Sequence, residues 1–525
     1  MGFLFAVSIL FSSGCVCCKN QCTAGNTDKY IKVGWAKQDI TPAGPTFLAG
    51  QQFVRLATEV KDQLFTSAMA VESGNEKFIM LSLDATRFSA PLMDRIRKKV
   101  SSATGVPEMN IIGFATHTHT APQYGEVVPK EYWNGDFQPT LGIGTGTRGA
   151  DVESFRKKYP DLVDSKDYFF FIADKISTAA IEAWNNRKFS KIAYGIGEAA
   201  VGECRRIVVD NKGGVMYADE AVEKICHAEG HVDHSLNIMA TYSLCGKLTG
   251  LIINLACPAQ VYEAHSFVSS DFWGNVRRDV AAAYGKDVVI LPQCSPAGDQ
   301  SPHKILNRKA DARMMQLRGQ LKTPVTDWSW GRRAFNEDYN LARSKEISRR
   351  IMTSLNEVLP LIKVTAVADP VVKHQYSMLQ LPPRHITKAE YDNAVAEIKT
   401  IEAERKKNNI TGYSGSLNWH RRVVNRYKNK ADAVHRELHV FRIGGAAFAT
   451  NTIELYLDYG DRMKGASKAE QNFLIQLANA ESGSYLPSQR SGTTGYGSAP
   501  ASCIVVPEAG DIIVKESVKM INRMF

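Results

Sequence analysis

Two histidines stand two residues apart in "FATHTHTAP" (114–122), directly after the apolar run "MNIIGF". If that run is a strand giving way to a loop, alternation sends His117 and His119 out from one face near its carboxyl end. Open α/β sheets place their ligand sites at that end. Imidazoles so placed can hold a metal ion or relay protons, and they can also be no more than a polar strand end. A second stretch with chemical potential is "VVILPQCSPAGDQSPH" (288–303), an apolar strand followed by Ser301 and His303. His303 could act as acid or base beside the serine hydroxyl. "GDQSP" lacks the glycines around a nucleophile elbow, however, and serine before proline also suits a plain turn.

The elements that must position these residues are legible as alternating periods. Apolar or β-branched runs that predict strands include "KFIMLSLDA", "NIIGFAT", "KIAYGIG", "LNIMATYS", "LTGLIINLA", "DVVILPQ", "KVTAVAD" and "FRIGGAAFAT". Several are apolar throughout, as strands covered on both faces must be, so helices should flank the sheet. Helical patterns lie between them in "PLMDRIRKKVSSA", "YFFFIADKISTAAIEAW", "FWGNVRRDVAAAY" and "ARSKEISRRIMTSLNEVL". "TKAE" (387–390) and "SKAE" (467–470) fit capping boxes that open helices. The expected fold class is therefore α/β, with mixed and largely buried sheets between helices.

Residues 386 to about 435 are strongly charged and helical around "TGYSGS", which predicts a solvated helical hairpin decorating the main domain or a partner-binding module. Two glycine-rich loops, "TLGIGTGTRG" and "SGTTGYGSAP", neither follow a strand nor open a helix, so they are not phosphate-binding loops.

Composition narrows the function classes. In 525 residues, hydrophobic side chains make up 44 % and charged ones 22 %, which is ordinary globular usage. The formal charge of +10 is spread along the chain and reads mostly as solvated surface, with a groove for an acidic substrate such as a uronic-acid glycan as the alternative; no nucleic-acid motif accompanies it, so nucleic acid is not an expected partner. The opening "MGFLFAVSILFSSGCVCCKNQ" carries an apolar segment too short to span a bilayer, followed by small residues and cysteine. Residues 1–28 are read as an export signal, with Cys15 in "SSGC" placed as the lipidated residue of a bacterial lipoprotein would be. Periplasmic or outer-surface localisation, with membrane attachment through a lipid anchor, is the expectation. The remaining cysteines number six and include no CxxC pair, which excludes a disulfide scaffold and a structural zinc knot.

In chain order, "VGWAKQDITPAGPTFLAG", "MLSLDA" and "ATHTHTAP" resemble the amino-terminal catalytic domain of the neutral/alkaline ceramidase family, which reads "DIT", "SAD" and "THTHSGP". The order continues: "ECRRIVVDNKGG" is similar to the family's "NRS" segment, "LIINLACPAQ" to "FAxHPT", "SSDFWG" to "SSDxxG", "AGDQSPH" to "GDVSPN", "TNTIELYLDYGDRMKG" to the "GE" segment and "GSYLPS" to "GYxPT". The resemblance implies one catalytic domain over residues 29–525, lacking the family's carboxy-terminal β-sandwich and carrying the charged insertion. It implies Zn²⁺ held by His117, Glu454 and Tyr485, with Ser301 as reactive hydroxyl, Arg205 as substrate-orienting cation and His119 as support. The family's second histidine ligand is missing, since Cys257 stands before Pro258. Cys257 thiolate could replace it, His265 could reach back, or the metal could be lost.

The resulting expectation is an exported hydrolase of an amide or ester bond in a small-molecule, lipid or oligosaccharide substrate. A lyase or glycosidase working without metal through His117, His119, Arg205 and Tyr485 is the rival, and a metal-free binding protein is a third reading.

Overall fold

The computed structural model describes residues 30–51, 55–125, 156–210, 213–217, 224–328, 334–410, 414–479, 484–491 and 495–525. The expected export signal with Cys15 and the glycine-rich loop at 140–149 lie outside the described residues.

The larger sheet has eight strands: β1 (Lys32–Asp39), β2 (Phe65–Ser73), β3 (Glu76–Leu83), β4 (Ile111–Ala115), β5 (Lys188–Glu198), β6 (Ser235–Ser243), β7 (Leu248–Leu255) and β8 (Val289–Cys294). Their spatial order is β8-β7-β6-β5-β1-β2-β3-β4. The pairs at the two ends, β7/β8 and β3/β4, are parallel, and the pairs between them are antiparallel. The smaller sheet runs β9 (Val372–Leu381), β10 (Val434–Ile443), β11 (Ala446–Thr450), β12 (Gln471–Ile475) in that order.

Strand alternation explains how the layers stack. In β3, Ile79 and Leu81 enter an apolar cluster with the helices α1 (Ala90–Thr104) and α2 (Ser165–Asn185), while Phe78 and Met80 point the other way. In β7, Leu251 and Ile253 pack with α3 (Phe272–Tyr284) and α4 (Glu337–Lys363), while Ile252 turns back with Phe78. The inward set meets Phe441, Phe448 and Phe473 of the smaller sheet, so the two sheets face each other across a dry layer. The outer face of the smaller sheet is covered by α7 (Leu457–Ala466) and α8 (Ala509–Met524); the hairpin helices α5 (Lys388–Lys407) and α6 (Gly415–Lys428) precede them in the chain. Both sheets are thus mixed, largely buried and flanked by helices, as the sequence led us to expect, with edge strand β9 the more exposed exception. Burying each large apolar side chain contributes about 1.5–3 kcal/mol, which is why these layers dominate the fold.

Three local expectations are corrected. "KVTAVAD" is the end of α4 and a turn, joined to the sheet by a bridge between Val367 and Ile192 and by the Ile31 N–H, which donates to the Ala368 carbonyl. "FRIGGAAFAT" is not one strand but the β10–β11 hairpin, reversed at Gly444, whose φ of 63° suits glycine. "SKAE" does not open a helix: Ser467 ends α7 and the chain runs into β12. "TKAE" does form the capping box of α5.

Two contacts shape the site. Ser82 in β3 donates to the carbonyl of Pro292 in β8 at 2.8 Å, so the large sheet curls until its ends meet. Arg97 in α1 then grips Glu437 in β10 with two hydrogen bonds of 2.8 Å, tying the second sheet to the first.

Candidate active site

The curl brings the carboxyl ends of both parallel pairs to one cavity of about 530 Å³. β4 stops at Ala115, and His117 then adopts a φ of 65°, an uncommon left-handed backbone for a residue with a side chain. Strand alternation therefore does not set its direction, contrary to the reading from sequence. The backbone oxygen of Thr86 does: it can only accept, so His117 Nδ1 donates to it at 2.6 Å and Nε2 faces the cavity, 3.5 Å from Glu454 Oε2. His119 lies beside it with Nε2 3.4 Å from His117 Nε2. Its ring packs on Gly50, where a Cβ would stand 2.5 Å from the ring and where φ is 101°. Burial, and then the charges of His117, Arg55 and Arg205, hold the His119 pKa well below the usual imidazole value, so this ring is neutral. Gln260 Nε2 donates to its Nε2 at 2.8 Å, which leaves the His119 hydrogen on Nδ1.

Glu454 and Tyr485 come together because Glu454–Leu455 and Tyr485–Leu486 pair as short parallel strands, with Glu454 opposite Tyr485. Arg205 joins them, donating to the Tyr485 hydroxyl at 3.3 Å and to the Gly298 carbonyl at 2.8 Å. Burial opposes its charge, but Tyr485, Tyr217 and Glu454 outweigh that and raise its pKa. Its buried Nε–H has no acceptor among the described residues. Burial, reinforced by Glu454, pushes the Tyr485 phenol well above its ordinary range, so it is a hydrogen-bond donor rather than a phenolate.

Glu263, passed over in the sequence, is a central member of the cavity. Its carboxylate accepts from Tyr217 at 3.2 Å and from Gln51 at 3.3 Å, and it stands 3.4 Å from His303 Nε2 and 3.9 Å from His119 Nδ1. Burial raises its pKa, but His303, Arg205 and Tyr217 together reverse that and keep it ionised. The signal was available: Gln260 and Glu263 are polar residues set into the apolar stretch "NLACPAQVYEA", where burial has to be compensated. Ser301 and His303 are fully buried behind this wall and do not line the cavity. Ser301 Oγ is 3.5 Å from the Tyr217 hydroxyl and accepts from the His303 backbone at 3.2 Å.

Of the set that the resemblance implies for zinc, His117, Glu454 and Tyr485 share the cavity, but no fourth donor joins them among the described residues. Cys257 Sγ is turned into the apolar cluster with Phe272 and Trp273 and does not line the cavity. His265 does not reach back, since its Nε2 accepts from Asn340 at 2.9 Å. The Tyr485 oxygen accepts one hydrogen bond, from Arg205, and the His119 lone pair is taken by Gln260. Among the described residues no group of three or more His, Cys, Asp or Glu is arranged to hold a metal ion. Neither Cys257 nor His265 completes the zinc site that the resemblance implies.

No family model and no curated protein matches the sequence. Solved structures do. Neutral ceramidase from Pseudomonas aeruginosa superimposes with a TM-score of 0.63 at 14 % identity, covering 94 % of this chain and 74 % of that one. A structure described as ceramidase complexed with C2 gives 0.62 at 14 % identity, covering 94 % and 75 %. The chain therefore has a ceramidase-like α/β fold.

Proposed function

We propose that the chain is a hydrolase that cleaves an amide or ester bond in this cavity through proton transfer by its own side chains. The observation that carries the reading is the arrangement around His117: Nδ1–H is fixed on Thr86, and the opposite nitrogen faces both the cavity and Glu454. A base needs that orientation. Water at Nε2 gives its proton to His117 as its oxygen attacks the carbonyl, and Glu454 stabilises the imidazolium that forms. The oxygen that gains charge is met by the Tyr485 hydroxyl and the Arg205 guanidinium, whose Nε–H awaits an acceptor. As the carbon–nitrogen or carbon–oxygen bond breaks, His117 returns the proton to the leaving group. Glu263 orients Tyr217 and balances Arg205.

Zinc takes no step in this scheme. The ceramidase-like fold supports hydrolysis only as a class, and we place the chain outside the cell, anchored at Cys15, on the strength of its first residues alone. A metal-free enzyme acting on glycans is the second reading. It is favoured by the cavity lining, where Trp419 and Tyr496 stand in one wall with Arg422.

The test is turnover by the full chain, purified without chelator, on matched sets of N-acyl and O-acyl compounds and uronic-acid glycosides. Hydrolysis of an ester or amide that disappears in His117→Ala and Glu454→Gln is expected. Cleavage of glycosides alone would replace the proposal with the second reading.

A further inference from the structure

The charged hairpin, expected to be a solvated ornament, builds one wall of the cavity: Trp419 and Arg422 of α6 line it. Three residues apart, they share a helix face. The hairpin is docked firmly. Arg426 spends its guanidinium on backbone carbonyls of Arg384, Pro500 and Cys503, and Val423 packs with Ile386, Ala394 and Ala501. From Trp419 a series of rings leads inward. Trp419 stacks on Tyr496 with centroids 5.2 Å apart, and Tyr496 meets Tyr485 edge-on at 5.6 Å.

Charge is distributed unequally along the helix. Arg421 is neutralised by Glu402 at 3.1 Å, whereas exposed Arg422 has no acidic partner among the described residues. The same holds for Arg87, which lines the cavity from the loop after β3 and engages only its backbone oxygen, with Tyr124. The carboxylates of the cavity, Glu263 and Glu454, are buried on the floor. The mouth thus pairs flat aromatic faces with two uncompensated guanidiniums.

We infer that the mouth is a subsite for a carboxylated sugar ring, a uronic acid residue, stacked on Trp419 and held through its carboxylate by Arg422 and Arg87. Guanidinium matches a carboxylate in two parallel hydrogen bonds, and an aromatic face matches the apolar face of a pyranose ring. The inference rests on the cavity being the working site, and it names the substrate class for it. Whether the bond broken is acyl or glycosidic does not alter it.

Binding, not turnover, is the test, so that failure of the hydrolytic scheme stays separable. Calorimetry on the full chain carrying Glu454→Gln would compare tetramers of galacturonate, tetramers containing glucuronate, their carboxyl-reduced counterparts, and laurate as an anion without a ring. A uronate tetramer is expected to bind at least about tenfold more tightly than its reduced form and than laurate, in keeping with one charge-assisted contact. Arg422→Met should remove most of that difference, Arg422→Lys should restore part of it, and Trp419→Ala should weaken uronate and reduced forms alike. If either variant fails to fold, the salt dependence of binding to the parent replaces it, and affinity should fall as salt rises. Equal binding of uronate and reduced forms, preference for laurate, salt-independent binding, an unchanged Arg422→Met, or no binding by any uronate tetramer would each overturn the subsite.

Discussion

Replacing Arg205 with methionine isolates the electrostatic half of the site. The guanidinium donates to Gly298 and Tyr485, so its loss orphans two buried acceptors, each at a cost of about 1–3 kcal/mol. Part of this returns, because a buried cation no longer has to be desolvated, and burial is the largest influence opposing its charge. Unfolding in urea should therefore show a net loss of about 1–3 kcal/mol, small enough for the variant to remain folded. The effect on catalysis should be larger. If Arg205 faces the oxygen that gains charge, its removal raises the barrier by about 3–4 kcal/mol, a drop of roughly 10²–10³ in kcat with KM little changed. Arg205→Lys keeps a charge without the fork and should recover part of the rate. Steady-state kinetics on the best ester or amide, with circular dichroism to verify folding, decide the matter. A folded Arg205→Met with kcat within a few-fold of the parent would refute the assignment of the oxyanion to Arg205.

After incubation with zinc and desalting, elemental analysis of the full chain should find no stoichiometric metal, and Cys257→Ala should cost only about 1 kcal/mol from the space left in its apolar cluster, with activity kept; one zinc per chain lost in His117→Ala would reverse the reading of the donor set. Glu263→Gln should lower turnover about a hundredfold while Ser301→Ala, behind the wall, lowers it far less; the opposite ranking would make the serine the reacting group. Burial, and then His439, push the pKa of His374 down to about 3, so its neutral form is favoured on folding. The unfolded chain binds that proton from its ordinary pKa of 6.5 downward, so stability present above that value is lost as pH falls. Between pH 7 and 5 its share of the loss should be about 2 kcal/mol, read as the difference between the parent and His374→Gln in urea unfolding at the two pH values. Gly50→Ala should displace the His119 ring, visible as shifted imidazole resonances by NMR, because the new methyl collides with it.

The long periodic elements were legible in the sequence because burial on both faces or on one stripe leaves a repeating mark: "FWGNVRRDVAAAY" is α3 from its first residue to its last. "KVTAVAD" misled because apolar β-branched residues also close a helix that packs on a sheet. At the site, order along the chain pointed to His117, Arg205, Glu454 and Tyr485, and these meet. Cys257 was misplaced because a position in a motif does not reveal which way a side chain turns at the end of a strand. Glu263 was missed because its neighbours, Gln51, Tyr217 and His303, are brought to it only by tertiary contacts.

The grip of Arg97 on Glu437 joins residues 340 positions apart, and the backbone of Gly113 reaches Asn479 over 366. Such closures come late in folding, since chain entropy has to be lost before they return anything. The histidine loop and the Glu454 strand therefore acquire their mutual geometry only when both ends of the described chain have met. A chain interrupted anywhere in between would carry either the imidazoles or the carboxylate, and refolding should regain compactness well before it regains any ability to turn over substrate.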